Sequence, residues 1–67
     1  MSDKSAAVTD LVGMVEDKAI VEAYNEGFNV VRVLSRDGEN FLVTRDLRAD
    51  RVNFRIENDV VIEASIG

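Results

Sequence analysis

The chain contains no cysteine, histidine, proline or tryptophan. Without cysteine it has no disulfide, no thiolate nucleophile and no thiolate metal site. Without histidine it lacks the commonest general base and metal ligand of proteins. An enzyme that used carboxylates alone would need an enclosed pocket, and a chain of 67 residues has little room to build one. We therefore expect neither an enzyme nor a protein that binds a metal or another cofactor.

Long apolar runs are also missing. No stretch approaches the roughly 18 apolar residues that span a membrane, and no signal-peptide core follows Met1. Thirteen acidic and eight basic residues give a net charge of -5, which opposes binding to nucleic acid and to anionic membranes. The sequence predicts neither as a partner, and it fits a cytoplasmic protein or one secreted after processing.

Residues 1–67 are expected to form one domain, with residues 1–9 as a loosely held N-terminal arm. Apolar residues then recur at helical spacing and predict a helix from about Val15 to Glu26, which Gly27 can cap. Gly13 makes its start uncertain, because Thr9 or Asp10 could open a longer helix. The helical stripe consists of Leu11, Val15, Ala19 and Ala23, with Val12, Ile20 and Tyr24 beside it.

Three apolar segments follow the helix and read as strands. Residues 29–34 are rich in β-branched side chains, residues 52–57 alternate between apolar and polar, and residues 60–65 return after a two-residue Asn58-Asp59 turn. This order predicts an α+β fold, a single helix packed on a small mixed β-sheet with a long exposed loop. The strands that flank the loop should be parallel, and the last two antiparallel. The expected buried positions are Val31, Val33, Val52, Phe54, Ile56 and Ile62.

The stretch from Val43 to Asn53 is dense in charges of both signs, although it lies between two apolar segments. It lacks the Asn-Gly or Gly-Gly signature of a tight hairpin, so we expect a long exposed loop. From the residues alone, a solvated charged loop is the ordinary interpretation.

The same stretch has the pattern Val-Thr-x-acidic-x-Arg-x-Asp-Arg-Val over residues 43–52, followed by an alternating strand, a turn, a last strand and Gly67. It resembles the potato inhibitor I (chymotrypsin inhibitor 2-like) superfamily of serine protease inhibitors. It is closest to the related bacterial and fungal elastase-inhibitor family, in which Asp-Arg-Leu-Asn recurs. Leu11-Val12-Gly13 is similar to the residues that lead into the single helix of the family, so the resemblance covers Leu11 to Gly67.

The resemblance implies a serine protease inhibitor, monomeric rather than oligomeric, whose partner is a trypsin-like or subtilisin-like protease. It places the scissile bond between Arg45 and Asp46, with Arg45 as the primary specificity residue. It implies that a further Arg is usual where Asn53 stands, so that one support of the loop would be shorter and neutral here. The implied loop residues are Leu42, Val43, Thr44, Arg45, Asp46, Leu47 and Arg48, and the implied supports are Arg48, Arg51, Asn53 and Gly67.

Two other functions are compatible with the same residues. A non-inhibitory protein-binding module, for example a phage or bacterial host-interaction protein, could use the scaffold to hold a different partner. A purely structural subunit would instead self-associate and leave no free loop. The resemblance favours the inhibitor among the three.

Overall fold

The computed structural model describes residues 4–67, with side chains from Val8 onward. Its elements are α1 (Lys4–Leu11), α2 (Glu16–Asn25), β1 (Val30–Arg36), β2 (Glu39–Asn40), β3 (Arg51–Glu57) and β4 (Val60–Ile66). The four strands form one sheet in the order β2-β1-β3-β4. The pair β1 and β3 is parallel, and the pair β3 and β4 is antiparallel, as the sequence predicted. The helices and this mixed sheet confirm the α+β class.

The core lies between the helices and the sheet. On β3 the three predicted positions Val52, Phe54 and Ile56 are fully buried, whereas Val31 and Val33 on β1 are half-buried against the core. No helix within residues 4–67 is long and apolar enough to cross a membrane. The buried apolar residues are Val8, Leu11, Ala19, Ala23, Phe28, Val52, Phe54, Ile56 and Val61.

The predicted helix is α2, which buries Ala19 and Ala23 against the sheet. It ends at Asn25, and Gly27, with φ of +100°, follows the C-cap residue Glu26. The Gly27 N–H donates to the Tyr24 carbonyl at 3.1 Å, and the Phe28 N–H donates to the Ala23 carbonyl at 3.1 Å. This is a Schellman cap, which requires a left-handed residue that glycine adopts without strain.

The structure contains a second helix that the sequence analysis did not predict. Residues 4–9, expected to be a loose arm, belong to α1, and Val8 and Leu11 of that helix are buried in the core. Gly13 lies between α1 and α2 with φ of +94°, a value outside the helical range, so the two do not form one continuous helix. The prediction of a single helix was therefore wrong, and residues 1–3 of the expected arm lie outside the described part of the chain.

The hairpin between β3 and β4 turns at Asn58 and Asp59, both with positive φ, as in the expected two-residue turn. The prediction that Ile62 is buried was wrong, because its side chain is 41% exposed. Ile56 pairs with Val61 and Arg55 with Glu63, so Ile62 is the extra residue of a β-bulge. The bulge breaks the alternation of faces and places Val61 in the core instead.

Candidate functional site

Residues 41–50, termed the connecting segment, join β2 to β3. Residues 41–48 have no regular secondary structure, and residues 41–49 are all exposed. Backbone hydrogen bonds hold both ends: the Phe41 N–H donates to the Leu34 carbonyl at 2.9 Å, and the Asn29 N–H donates to the Asp50 carbonyl at 2.8 Å. Between these points, the contacts that hold the segment are mostly made by side chains.

Arg51, the first residue of β3, is only 5% exposed, and its guanidinium reaches beneath the connecting segment. Its Nη2 donates to the Asp46 carbonyl oxygen at 2.7 Å, and its Nη1 lies 3.4 Å from the Asp46 carboxylate. Nε and Nη2 also donate to the Gly67 carbonyl oxygen, at 3.1 and 2.6 Å. A planar guanidinium can serve several acceptors at once, so Arg51 ties Asp46 to the end of β4.

Arg32 on β1 makes the corresponding contact with Thr44. Its Nη1 donates to the Thr44 carbonyl oxygen at 3.2 Å and approaches the Thr44 Oγ1 at 3.4 Å. Its Nε donates to the Asn53 Oδ1 at 2.8 Å. Arg32 and Asn53 are partners in the parallel β1–β3 register, and Asn53 is 6% exposed. Asn53 therefore reaches the segment through Arg32.

The residues on the two sides of Arg45 also contact each other. The Thr44 hydroxyl donates a hydrogen bond to the Asp46 carboxylate. This hydrogen bond, together with the nearby Arg51 guanidinium, lowers the pKa of Asp46 below its ordinary value. Asp46 is thus an ionised acceptor that links Thr44 to Arg51.

Arg48 and Asp50 form a separate pair at the end of the segment. Arg48 donates from Nε and Nη2 to the two Asp50 carboxylate oxygens, at 3.0 and 2.9 Å. The Asn29 side-chain amide donates to the same carboxylate at 3.2 Å. The hydrogen bonds from Arg48 and then from Asn29 lower the pKa of Asp50 to about 2. This pair fixes the point at which the segment enters β3.

Arg45 differs from the other arginines of the described chain, because no hydrogen bond or ion pair holds its exposed guanidinium. Two leucines of the segment are also free of the core: Leu42 is 104% exposed and Leu47 is 88% exposed. Val43 is 42% exposed. The other arginines are held by their partners: Arg32 by Thr44 and Asn53, Arg36 by Glu16, Arg48 by Asp50, Arg51 by Asp46 and Arg55 by Glu63.

The structure places the site residues taken from the resemblance in four groups. Arg51 contacts both Asp46 and Gly67, and a Cβ added at Gly67 would come within 3.2 Å of the Asn53 Nδ2. Arg48, an implied support of the loop, donates its hydrogen bonds to Asp50. Asn53, another implied support, accepts a hydrogen bond from Arg32. Arg32 itself was missed, although it lies in the predicted strand of residues 29–34. The loop residues Leu42, Val43, Thr44, Arg45, Asp46 and Leu47 lie in the connecting segment.

Within residues 4–67, no group of three or more acidic side chains is arranged to hold a metal ion. The chain matches no protein-family model, no curated protein and no solved structure. The resemblance to the potato inhibitor I superfamily therefore stays a prediction.

Proposed function

We propose that this chain is a serine protease inhibitor that offers residues 42–48 to the protease as a substrate-like segment, with Arg45–Asp46 as the scissile bond. The observation that carries the proposal is the free Arg45 side chain between two residues, Thr44 and Asp46, that arginines of the sheet hold in place. A protease needs access to the residue before the bond, and here that residue is exposed and unpaired.

Fixing the backbone around Arg45 before binding favours inhibition. A flexible peptide loses conformational entropy when it docks in a protease, whereas a segment already held in shape has lost it on folding. Individually, exposed ion pairs contribute only about 0 to 1 kcal/mol. In this segment the contacts of Arg51, Arg32 and the Thr44 hydroxyl join in one network around the bond.

The same network favours reversal of the chemical step. The protease's serine oxygen adds to the Arg45 carbonyl carbon, the bond to the Asp46 nitrogen breaks, and the enzyme's general acid supplies the proton that makes this nitrogen an amine. If Arg51 keeps Asp46 in place, the amine can attack the ester, restore the peptide bond and release the serine with its proton. Hydrolysis by water is then the slower outcome.

The charge at Arg45 suits trypsin-like proteases, whose specificity pocket carries a buried carboxylate. Leu42 could fill an apolar outer pocket of a subtilisin-like enzyme. The Asp46 carboxylate, an unfavourable neighbour for many proteases, is engaged by Thr44 and Arg51. A trypsin-like protease is therefore the preferred partner.

The test is a titration of trypsin and subtilisin with the protein and two variants, followed by mass spectrometry of the products. We expect inhibition of trypsin at or below micromolar concentration and one slow cut at Arg45–Asp46. Arg45→Ala should lose trypsin inhibition, whereas Arg36→Ala, which removes a guanidinium paired with Glu16 at 2.5 Å, should keep it. If neither enzyme is inhibited, or if trypsin cuts the bond rapidly without being inhibited, the proposal fails.

A second candidate function is a non-inhibitory protein-binding module on the same scaffold. The exposure of Leu42 and Leu47 favours it, because apolar side chains that are exposed on a segment can be buried against a protein partner. Such a module would bind its partner through the leucines, and Arg45→Ala would leave binding intact. Leu42→Ala and Leu47→Ala would weaken it.

A further inference from the structure

The connecting segment is held by arginines from two different strands. Arg51 comes from β3, which follows the segment, and Arg32 comes from β1, which precedes it. Arg32 lies partly buried between two acceptors, the Asn53 side-chain oxygen at 2.8 Å and the Thr44 carbonyl oxygen at 3.2 Å. A single guanidinium therefore joins β1, β3 and the segment.

Each of these two arginines lies on the same side of the Arg45–Asp46 bond, along the chain, as the residue that it holds. Arg32 and the residue that it holds, Thr44, both precede the bond. Arg51 and the residue that it holds, Asp46, both follow it. Cutting the bond would leave each arginine covalently in the same half as its partner.

Among the side-chain contacts that cross the bond and connect the halves, two involve Thr44 or the arginine that holds it. One is the hydrogen bond from the Thr44 hydroxyl to the Asp46 carboxylate, and the other is the hydrogen bond from Arg32 to Asn53. The parallel pairing of β1 with β3 crosses it as well. Asn53, in the second half, thus helps to set the position of Thr44, in the first half, through Arg32.

We propose that Arg32, held by Asn53, is the positioning residue for the side of the segment that precedes the Arg45–Asp46 bond. This inference rests on the proposed inhibitory function for its effect on a protease. Its structural part, that Arg32 orders Thr44, concerns the free protein. The two parts can fail separately.

The two arginines should have different effects on a protease. Loss of Arg32 disorders Thr44 and Arg45, which the enzyme contacts before the bond is attacked, so inhibitor binding weakens. Loss of Arg51 frees the new amine of Asp46 after attack, so hydrolysis overtakes resynthesis. Arg32→Ala should therefore raise the inhibition constant about tenfold, whereas Arg51→Ala should mainly shorten the lifetime of the bond.

The coupling through Asn53 has its own test in a double-mutant cycle. Because Asn53 contacts the segment through Arg32, Asn53→Ala should weaken inhibition less than Arg32→Ala does. The double variant should be no weaker than Arg32→Ala alone. Additive effects of the two substitutions would show that Asn53 does not act through Arg32.

The first experiment uses the free protein. NMR relaxation of the backbone amides of residues 43–47 is compared in the parent, Arg32→Ala and Arg36→Ala, the last a matched loss of a guanidinium on the same strand. We expect increased motion at Thr44 and Arg45 in Arg32→Ala only. If Arg32→Ala does not fold, Asn53→Ala, which removes the acceptor of the Arg32 Nε, takes its place in the comparison.

The second experiment measures trypsin inhibition and bond lifetime for the same proteins and for Arg51→Ala. A parent that fails to inhibit, together with increased motion in Arg32→Ala, would overturn the proposed function and leave the positioning role standing. A parent that inhibits, together with unchanged motion and unchanged inhibition in Arg32→Ala, would overturn the positioning role alone.

Discussion

Strand β3 and the connecting segment that leads into it are held by different kinds of interaction. Val52, Phe54 and Ile56 on β3 are 0% exposed and lie in the apolar core. Residues 41–49 are all exposed, and guanidinium groups hold the segment at single points. Apolar burial therefore stabilises the strand, whereas hydrogen bonds between charged and polar groups shape the segment.

This difference indicates that stability and segment shape can be altered separately. A core substitution removes buried apolar contacts and leaves a cavity, which affects the whole domain. A substitution at a guanidinium removes a few hydrogen bonds and affects the backbone of the segment first. Arg51 lies at the boundary, since it is buried on β3 and contacts Asp46 in the segment.

The largest expected effect is that of Phe54→Ala, which should lower the free energy of unfolding by about 3 to 5 kcal/mol. Phe54 is fully buried at the centre of the core, and a domain of this size has little stability to lose. Thermal and urea denaturation measure the loss. The matched control is Ile62→Ala on the bulge, which should cost no more than about 1 kcal/mol. Similar losses in the two variants would contradict the pairing register of β3 with β4.

The next effect is that of Arg51→Ala, which should keep the fold, lose about 1 to 2 kcal/mol of stability and release the segment. The Asp46 and Gly67 carbonyl oxygens lose their donor, but the apolar core is untouched. Inhibition of trypsin should become temporary as the Arg45–Asp46 bond is cut. The measurement is the lifetime of this bond by mass spectrometry.

Arg55→Ala is the control for that experiment, because Arg55 lies on the same strand but pairs with Glu63, at 3.2 Å. Its bond lifetime should equal that of the parent. If Arg51→Ala also keeps the parent's lifetime, Arg51 does not hold the segment against hydrolysis.

Much of the fold could be predicted because local patterns and tertiary contacts agree. The alternation at Val52, Phe54 and Ile56 marks the strand that is buried, and Asn58-Asp59 marks its turn. Gly27 marks the end of α2 because the cap requires a positive φ there. In each case, the residue type favours the same backbone conformation or burial that the tertiary structure requires.

The errors arose where distant contacts override the local pattern. The burial of Ile62 was mispredicted because a bulge, set by pairing with β3, shifts the alternation by one residue. α1 was missed because residues 4–9 are mostly polar or small and do not predict a helix by themselves. The burial of Val8 in the core, which stabilises this helix, depends on the rest of the chain. Arg32 was missed because its contact with Thr44 depends on the register of the β1–β3 pairing, which places it beside Asn53 and was not predicted.

A smaller effect on the connecting segment is expected from acid. The pKa of Asp50 is lowered from its ordinary value of 3.8 to about 2, and that of Asp46 is also lowered. A lowered carboxyl pKa means that the ionised form favours the native arrangement. Its contribution is complete above the ordinary value and is lost as the pH falls through about 2.

An NMR titration from neutral pH to pH values near 2 checks this. Amides of residues 46–50 should shift as Asp46 and Asp50 are protonated, before those of Val52 and Phe54. Asp50→Asn should remove the step at the Arg48 end of the segment and leave that of Asp46. A titration of Asp50 at its ordinary value would show that Arg48 and Asn29 do not stabilise its ionised form.

The smallest effect tests whether the scaffold can be improved without altering the segment. Asp59, with φ of +65°, occupies the second position of the β3–β4 turn, where glycine is preferred after asparagine. Asp59→Gly should raise the free energy of unfolding by about 0.5 kcal/mol. It keeps the Asp59 carbonyl, which accepts the Glu16 N–H at 2.7 Å. Asp59→Ala, strained at the same φ, should lower stability. Because this turn lies at the opposite end of β3 from Arg51, both variants should show the parent's bond lifetime in trypsin. A changed lifetime would mean that the stability of the sheet and the shape of the segment are coupled after all.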